Sequence, residues 1–303
     1  MKEGKKNKEK IMKVGLVLEG GGMRGVYTAG VLDALINENY CADYLIGVSA
    51  GCTNGASYIS WQKERGMRTN INYIDDKRYL SFSSYLKTGS LFGMDFLFYD
   101  IPERLDPFDY ESCFASKCDY RVGVTNIETG KEEYYGKEAL KKESRNIILR
   151  ASVSLPIASP IVNIDGKKYL DGGIGDPIPI KKAYADGCEK VIVVLTRDRG
   201  YRKKASKGKW LFRLVYKKYP KLVKLLAERH ILYNDTLEYI KEMEKENKAF
   251  VVAPDKPIEI DKFEKNKAKL FEVYKMGLAD GKKVFDKYKE FLDTENHKKY
   301  KNI

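Results

Sequence analysis

The sequence predicts an α/β fold, a three-layer α/β/α sandwich built around a mostly parallel sheet. Short apolar strands alternate with amphipathic helices over the first part of the chain, a pattern typical of parallel sheets covered by helices. Lys190–Thr196 is a continuous apolar run, as expected for a central strand buried on both faces. The first two strands are predicted at Lys13–Gly20 and Asp43–Val48, followed by helices at Val26–Asn37 and from Ser49 to about Trp61.

Further along the chain, Tyr120–Asn126 and Lys131–Tyr135 read as the two strands of a hairpin. The C-terminal part is expected to be mainly helical, with one short strand at Ala249–Ala253 and a long helix over about Asp261–Leu292. We therefore expect three regions: a basic disordered tail (1–13), an α/β domain (14–198) and a mainly helical basic C-terminal region (199–303).

The amino-acid composition and charge exclude several classes of protein. The 303 residues are 43% hydrophobic and carry a net charge of +13, which belongs largely to the tail and to residues 201–224, where ten Lys/Arg and no acid occur. The apolar runs are too short for a membrane span or a signal-peptide core. The five cysteines form no Cys-x-x-Cys pair, which favours free thiols in a reducing cytoplasm and argues against a zinc site. We expect no metal and no cofactor.

The most informative motif is Gly47-Val48-Ser49-Ala50-Gly51, directly after a predicted strand. It has the sequence of a nucleophile elbow, in which a strand turns sharply into a helix and presents a serine hydroxyl. Gly47 and Gly51 allow strand and helix to pack too closely for a Cβ on either side. Ser49 is therefore the predicted nucleophile.

A nucleophilic serine needs a base, and histidine is the usual one. The chain has only His230 and His297, both in lysine-rich helical or terminal surroundings that favour a solvent-exposed role. If a carboxylate serves instead, Asp171 is the best candidate, because Gly172 and Gly173 follow it and permit a tight turn. The alternative is a plain Asp-Gly β-turn.

Charge on the reacting carbonyl could be stabilised by the loop between the first strand and the first helix. Its residues are Gly20, Gly21, Gly22, Met23, Arg24 and Gly25. Unobstructed backbone N–H groups at a helix N-terminus form a ready oxyanion hole, and Arg24 adds a cation that could hold the loop or attract an anionic head group. The loop also fits Gly-x-Gly-x-x-Gly, so a dinucleotide site is the alternative, although Asp43 precedes the second strand instead of ending it.

These motifs in this order resemble the bacterial patatin-like phospholipase family. The resemblance rests on the glycine-rich loop, the Gly-x-Ser-x-Gly elbow, the segment Ala151–Pro156 and the Asp-Gly-Gly sequence, and it spans about residues 14–198. It implies a catalytic dyad of Ser49 as nucleophile and Asp171 as proton acceptor. It also implies an oxyanion hole with backbone amides near Gly21, Gly22 and Met23. The last hundred residues match none of the family's motifs.

Two segments could contact lipid. The aromatic stretch Leu91–Tyr99 could form a substrate channel with Phe92, Met94, Phe96 and Phe98, or it could be ordinary core packing. In the basic segment 201–224, apolar residues recur at helical spacing on either side of Pro220. This pattern fits either an anionic membrane surface or a helix that packs its apolar face on the core. No nucleic-acid motif occurs.

We expect a lipid ester substrate and a serine acyl hydrolase that acts through an acyl-enzyme, of phospholipase A or lysophospholipase type. A cytoplasmic location, with peripheral contact at the inner membrane face, is the matching expectation. The alternatives are a non-catalytic membrane-binding module and a nucleotide-binding enzyme that uses the glycine-rich loop.

Overall fold

The computed structural model describes residues 12–292. Most of the predicted basic tail (1–13), and His297, lie outside this range. Within the described residues, eight strands form a single sheet: β1 (Val14–Leu18), β2 (Tyr44–Val48), β3 (Asp119–Asn126), β4 (Lys131–Gly136), β5 (Val162–Ile164), β6 (Lys167–Asp171), β7 (Lys190–Val194) and β8 (Ala249–Val252).

The sheet is parallel at its centre and antiparallel at one edge. Five strands lie side by side and run parallel, in the order β3, β2, β1, β7 and β8. On the β3 side of the sheet, β4 and β6 each pair antiparallel with β3, and β5 pairs antiparallel with β6. The predicted hairpin is confirmed as β3 and β4, which pair from Arg121 with Gly136 to Asn126 with Lys131. The predicted fold class is confirmed as well.

Between residues 12 and 292, ten α-helices surround the sheet: α1 (Gly25–Asn37), α2 (Ala50–Ile59), α3 (Arg65–Ile71), α4 (Phe82–Thr88), α5 (Tyr110–Ala115), α6 (Ile147–Val153), α7 (Ile180–Ala185), α8 (Lys209–Val215), α9 (Pro220–Lys245) and α10 (Lys267–Leu292). A π-helical stretch, Phe96–Leu105, lies between α4 and α5. The last helix begins at Lys267 and not near Asp261, because the side chain of Asn266 accepts the N–H of Lys269 and caps the first turn.

The central strands are buried on both faces, which explains their unbroken apolar sequences. In β7, Ile192 and Val194 point into the core formed with α1, α2 and α10. Val191 and Val193 point to the opposite core, formed with α7 and α9. Alternate residues of one strand therefore fill two hydrophobic cores, and burying such a sheet on both sides requires the three layers.

The C-terminal region belongs to the same body as the strands that precede it. Strand β8 pairs with β7, with Val191 opposite Ala249 and Val194 opposite Val252. Leu270, Val273 and Tyr274 of α10 join the core under α1. The predicted boundary at 198–199 thus falls between β7 and α8, and the chain beyond it returns to complete the sheet.

Helices α1 and α10 approach each other closely through glycines. A Cβ at Gly30 would lie 2.2 Å from the carbonyl oxygen of Tyr274, and one at Gly277 would lie 2.0 Å from that of Tyr27. The Tyr274 hydroxyl also donates to the buried Asp33 (2.9 Å), which ties the two helices together. The missing side chains let the two helix backbones touch.

This contact predicts the effect of Gly277→Ala. Replacing a helical glycine by alanine normally stabilises a helix by about 1 kcal/mol. Here we expect the free energy of unfolding to fall by about 1–3 kcal/mol, because the new Cβ forces the two backbones apart. Urea denaturation measures the change, with Lys282→Ala on the exposed side of the same helix as the control. A rise in the midpoint of Gly277→Ala would contradict the packing described here.

Candidate active site

Ser49 lies at the turn from β2 into α2 in a backbone conformation that L-residues rarely adopt, with φ 53° and ψ −128°. The flanking glycines are required by contact. A Cβ at Gly51 would lie 2.5 Å from the carbonyl oxygen of Leu18, and one at Gly47 would lie 2.7 Å from the backbone of Cys52. The segment therefore has the geometry of a nucleophile elbow, as its sequence predicts.

The register of the sheet brings Asp171 next to this elbow. Strand β3 pairs with β2 up to Val48 opposite Gly123, and then with β6 from Val124 opposite Asp171. Strand β4 pairs with the other edge of β3, alongside both of these stretches. Strands β2 and β6 must therefore pair with the same edge of β3, one after the other, and they meet end to end. The end of β2 at Ser49 and the end of β6 at Asp171 consequently face each other.

Helix α6 fixes the backbone of both residues. The N–H of Ser49 donates to the Oγ of Ser152 (2.9 Å), and that hydroxyl donates to the carbonyl of Gly123 (2.6 Å). The N–H of Asp171 donates to the carbonyl of Ser154 (2.8 Å). The sequence marked this segment only as a motif; the contacts give Ser152 and Ser154 a positioning role.

Asp171 is almost fully buried, with 1% of its surface exposed. Its Oδ1 accepts the N–H of Gly173 (2.8 Å), whereas its Oδ2 has no hydrogen-bond partner within residues 12–292. Burial raises the pKa of this carboxyl above its usual value, and the positive charge of Arg229 and the Ser49 hydroxyl counteract part of the rise. Asp171 therefore offers a desolvated oxygen that can accept a proton.

The glycine-rich loop lies against Ser49, since a Cβ at Gly20 would come within 3.0 Å of the Ser49 Cβ. In the described part of the chain, the amides of Gly21 and Gly22 donate to no other backbone group. The Met23 N–H instead donates to the carbonyl of Lys262 (3.2 Å), so this amide is already occupied. Among the predicted amides, Gly21 and Gly22 are the two left for an oxyanion.

Hydrogen bonds to the Glu19 side chain hold the start of the same loop. It is buried, and its Oε2 accepts the N–H (2.6 Å) and the hydroxyl (3.0 Å) of Thr196, the second residue after β7. Its Oε1 accepts the hydroxyl of Tyr233 on α9 (2.8 Å). By contrast, Asp43, considered for a nucleotide site, accepts the N–H of Val14 at the opposite end of the sheet. It cannot take part in binding at the glycine loop.

Ser49 lies where two cavities meet, and Gly22 and Leu155 also line both. The first, here called the apolar cavity, holds about 970 Å³ of empty space, its open mouth included. Of the four residues predicted for a substrate channel, Phe92 and Phe98 line it. Phe96 does not, because it packs edge-on against Tyr73 and Tyr79 in the core, and Met94 does not reach it. Other apolar side chains on its wall are Met23, Leu97, Ile101, Phe108, Leu149 and Val153.

The second, here called the cationic cavity, holds about 720 Å³ of empty space, again with its mouth. Asp171 and the glycine loop line it together with five cationic side chains: Arg24, Arg197, Lys203, Arg229 and Lys262. Arg229 also donates to the carbonyl of Gly173 (2.7 Å), which holds the turn after Asp171. Apart from Arg24, sequence reasoning did not place these cations at the site, because they come from four separate places in the chain.

The predicted basic segment divides at Pro220. Leu222 and Leu226 of α9 are buried in a core with Ile127, Leu170 and Ile174. The short helix α8 behaves differently, since Trp210 is 67% exposed and Leu214 is 65% exposed. One half of the segment thus packs on the core, as one alternative held, and the other half presents Trp210 and Leu214 to solvent while Phe212 packs partly against the same core.

His230 lies on α9 and lines neither cavity. Within residues 12–292, no three His, Cys, Asp or Glu side chains are grouped so as to hold a metal ion, and the five cysteines form no disulfide. No helix in that range has both the length and the apolar character that crossing a bilayer requires.

The chain is similar to known proteins in sequence and in fold. The family model "Patatin-like phospholipase" matches residues 16–184, and a model for a domain of unknown function (DUF6363) matches residues 219–293. VipD from Legionella pneumophila shares the fold, with a TM-score of 0.51 at 13% sequence identity, over 92% of this chain and 67% of that one.

Relatives by sequence are distant. The uncharacterised protein YjjU of Escherichia coli is 26% identical over 89% of this chain and 76% of its own length. An uncharacterised NTE family protein of Mycobacterium tuberculosis is 24% identical over 55% of this chain, and lysophospholipase NTE1 of Saccharomyces cerevisiae is 26% identical over 60% of it. This chain spans 44% of the mycobacterial protein and 10% of the yeast one. The family model covers more than half of the chain, and the protein belongs to the patatin-like phospholipase family.

Proposed function

We propose that the protein is a serine acyl hydrolase that cleaves carboxylic ester bonds of lipids by a dyad of Ser49 and Asp171. The observation that carries this proposal is the placement of Ser49 between an apolar and a cationic cavity, beside a buried carboxylate with an unpartnered oxygen. The naming of its yeast relative as a lysophospholipase supports the same substrate class.

In the proposed reaction, the Ser49 Oγ attacks the ester carbonyl while Asp171 accepts the hydroxyl proton. The carbonyl oxygen becomes negatively charged and is stabilised by the N–H groups of Gly21 and Gly22, with the N-terminal end of α1 directly behind them. The proton passes from Asp171 to the leaving alcohol, and a water molecule activated in the same way then hydrolyses the acyl-enzyme. The acyl chain occupies the apolar cavity, where Phe92 and Phe98 bound its path.

We also propose a peripheral contact with anionic membrane through α8 and its flanking lysines. Trp210 and Leu214 are exposed on a helix without any buried residue, in a segment that contains no acid. Apolar side chains beside lysines suit the interface of an anionic bilayer. The cytoplasmic face of the inner membrane is still the predicted location of this contact.

The dyad predicts the behaviour of two variants toward a fluorophosphonate probe and an uncharged soluble ester. Ser49→Ala should abolish labelling and turnover. Asp171→Asn keeps the shape of the side chain but cannot accept the proton, and should lower kcat by roughly 100- to 10,000-fold. Mass spectrometry of the labelled protein and initial rates measure both.

Asp176→Asn is the matched control for the base, since it makes the same change at a half-buried carboxylate five positions on that lines neither cavity. It should retain activity close to that of the unmodified protein. Labelling of a serine other than Ser49, or a normal rate in Asp171→Asn, would refute the dyad. Vesicle binding without labelling of Ser49 would instead indicate a membrane-binding module.

The raised pKa of Asp171 predicts the pH dependence of kcat/KM. The base acts only when ionised, so activity is lost as the pH falls through its pKa, and a raised pKa moves this loss above the usual aspartate range of about 4. Arg229→Gln removes a charge that favours the ionised form and should move the acid limb to still higher pH. Lys224→Gln, exposed on the same helix, should not move it. Full activity at pH 4 would contradict a base in this environment.

The membrane proposal predicts weaker binding of Trp210→Ser/Leu214→Ser to phosphatidylglycerol vesicles, by about tenfold or more, because two inserted apolar side chains are lost. Vesicle sedimentation measures this. Phe271→Ser/Met276→Ser removes two exposed apolar side chains from α10 and is the control. Equal binding by both double variants would remove α8 from the contact.

A further inference from the structure

We propose that the cationic cavity is a binding site for a phosphate-bearing head group and that the protein therefore selects anionic phospholipid esters over zwitterionic ones. The inference rests on the proposed function, since it concerns the alcohol side of the ester that Ser49 attacks. It gives a role to residues 219–293, whose matching family model is described only as a domain of unknown function.

The positive charges of this cavity are not neutralised by the protein. Within residues 12–292, none of the five cationic side chains has a carboxylate oxygen within salt-bridge distance. Of the two acids on the wall, Glu19 is held by Thr196 and Tyr233, and Asp171 is the proposed base. The Nε of Arg24 is buried and lacks a hydrogen-bond partner in the same range. The cavity thus offers donors and net positive charge to a ligand.

The cations also repel one another in the empty cavity. Burial and the neighbouring Arg229 lower the pKa of Lys203 to about 8, and the same two causes lower the pKa of Lys262. Burial and Arg197 lower the pKa of Arg24. Holding like charges together in a partly buried space costs free energy, and an anion among them would remove that cost.

Three of these cations are held in place by contacts with groups other than carboxylates. The Lys203 Nζ lies 4.8 Å from the centre of the Tyr233 ring, and the Arg197 guanidinium lies 4.6 Å from that of Tyr201. The Lys262 Nζ lies 4.9 Å from the centre of the Phe263 ring. The cavity is therefore built around its cations, and they are not mobile surface side chains.

The chemistry favours phosphate over a single carboxylate. Five cations against two acids leave more positive charge than one carboxylate would neutralise, whereas a phosphate group carries up to two charges and several acceptor oxygens. Because Ser49 lines both cavities, an ester with its acyl chain in the apolar cavity places its glycerol phosphate on the cationic side. A choline head group would add a positive charge to this cavity and is disfavoured.

Turnover of soluble short-chain lipids tests the proposal without a membrane surface. We expect dihexanoyl phosphatidate to exceed dihexanoyl phosphatidylcholine in kcat/KM by about tenfold or more. Lys203→Gln and Lys262→Gln should each lower this ratio several-fold, chiefly through KM. Lys256→Gln makes the same charge change at an exposed position outside the cavity and should leave the ratio unchanged. Equal kcat/KM for both lipids, or a ratio that neither cavity variant alters, would overturn the proposal.

Three further measurements separate the sources of phosphate and the two proposals. Calorimetry measures the binding of dihexanoyl phosphatidate to Ser49→Ala. Binding that is weakened by the second change Lys203→Gln supports the head-group site, even if the protein hydrolyses no lipid. If the protein turns over p-nitrophenyl hexanoate but shows no preference between the two lipids, the proposed hydrolase activity stands and the head-group site is refuted. Thermal stabilisation by inorganic phosphate alone, without any advantage for phosphatidate, assigns the cavity to free phosphate and overturns the lipid assignment.

Discussion

The strained backbone of Ser49 is the constraint on which the rest of the site depends. A residue with φ 53° costs on the order of 1–3 kcal/mol and persists only where its surroundings enforce it. They do so here through the contact of Gly51 with the β1 carbonyls and through the bond from the Ser49 N–H to Ser152. Since Ser152 also holds Gly123 of β3, the elbow, α6 and the central sheet can form only together.

The position of Asp171 follows from this arrangement. Strand β6 takes over the edge of β3 where β2 ends, so the nucleophile and the proposed base meet at one point although 122 positions separate them in the sequence. The approach is tight enough that a Cβ at Gly172 would lie 2.2 Å from the carbonyl oxygen of Gly123. Gly172 is thus required by packing, and the turn after Asp171 is buried.

Local patterns predicted much of this structure, because their causes are local. The continuous apolar run of β7, the turn residues between β3 and β4 and the Gly-x-Ser-x-Gly spacing of the elbow can each be recognised within a few neighbouring residues. Met94 and Phe96 were misplaced because an aromatic run does not reveal which side chains face a cavity and which face Tyr73 and Tyr79. The start of α10 was missed because the capping role of Asn266 depends on one side-chain bond.

The cations of the second cavity show where such prediction stops. Arg24, Arg197, Arg229 and Lys262 come from the loops after β1, β7 and β8 and from α9, and only the completed sheet brings them together. Without β8 and the loop that follows it, the Met23 N–H would lose its acceptor and the cavity would lose Lys262. The C-terminal region is therefore part of the site in a physical sense. It supports the glycine loop, closes the wall opposite the apolar cavity, and supplies charge that the elbow and the Asp-Gly-Gly turn do not contain.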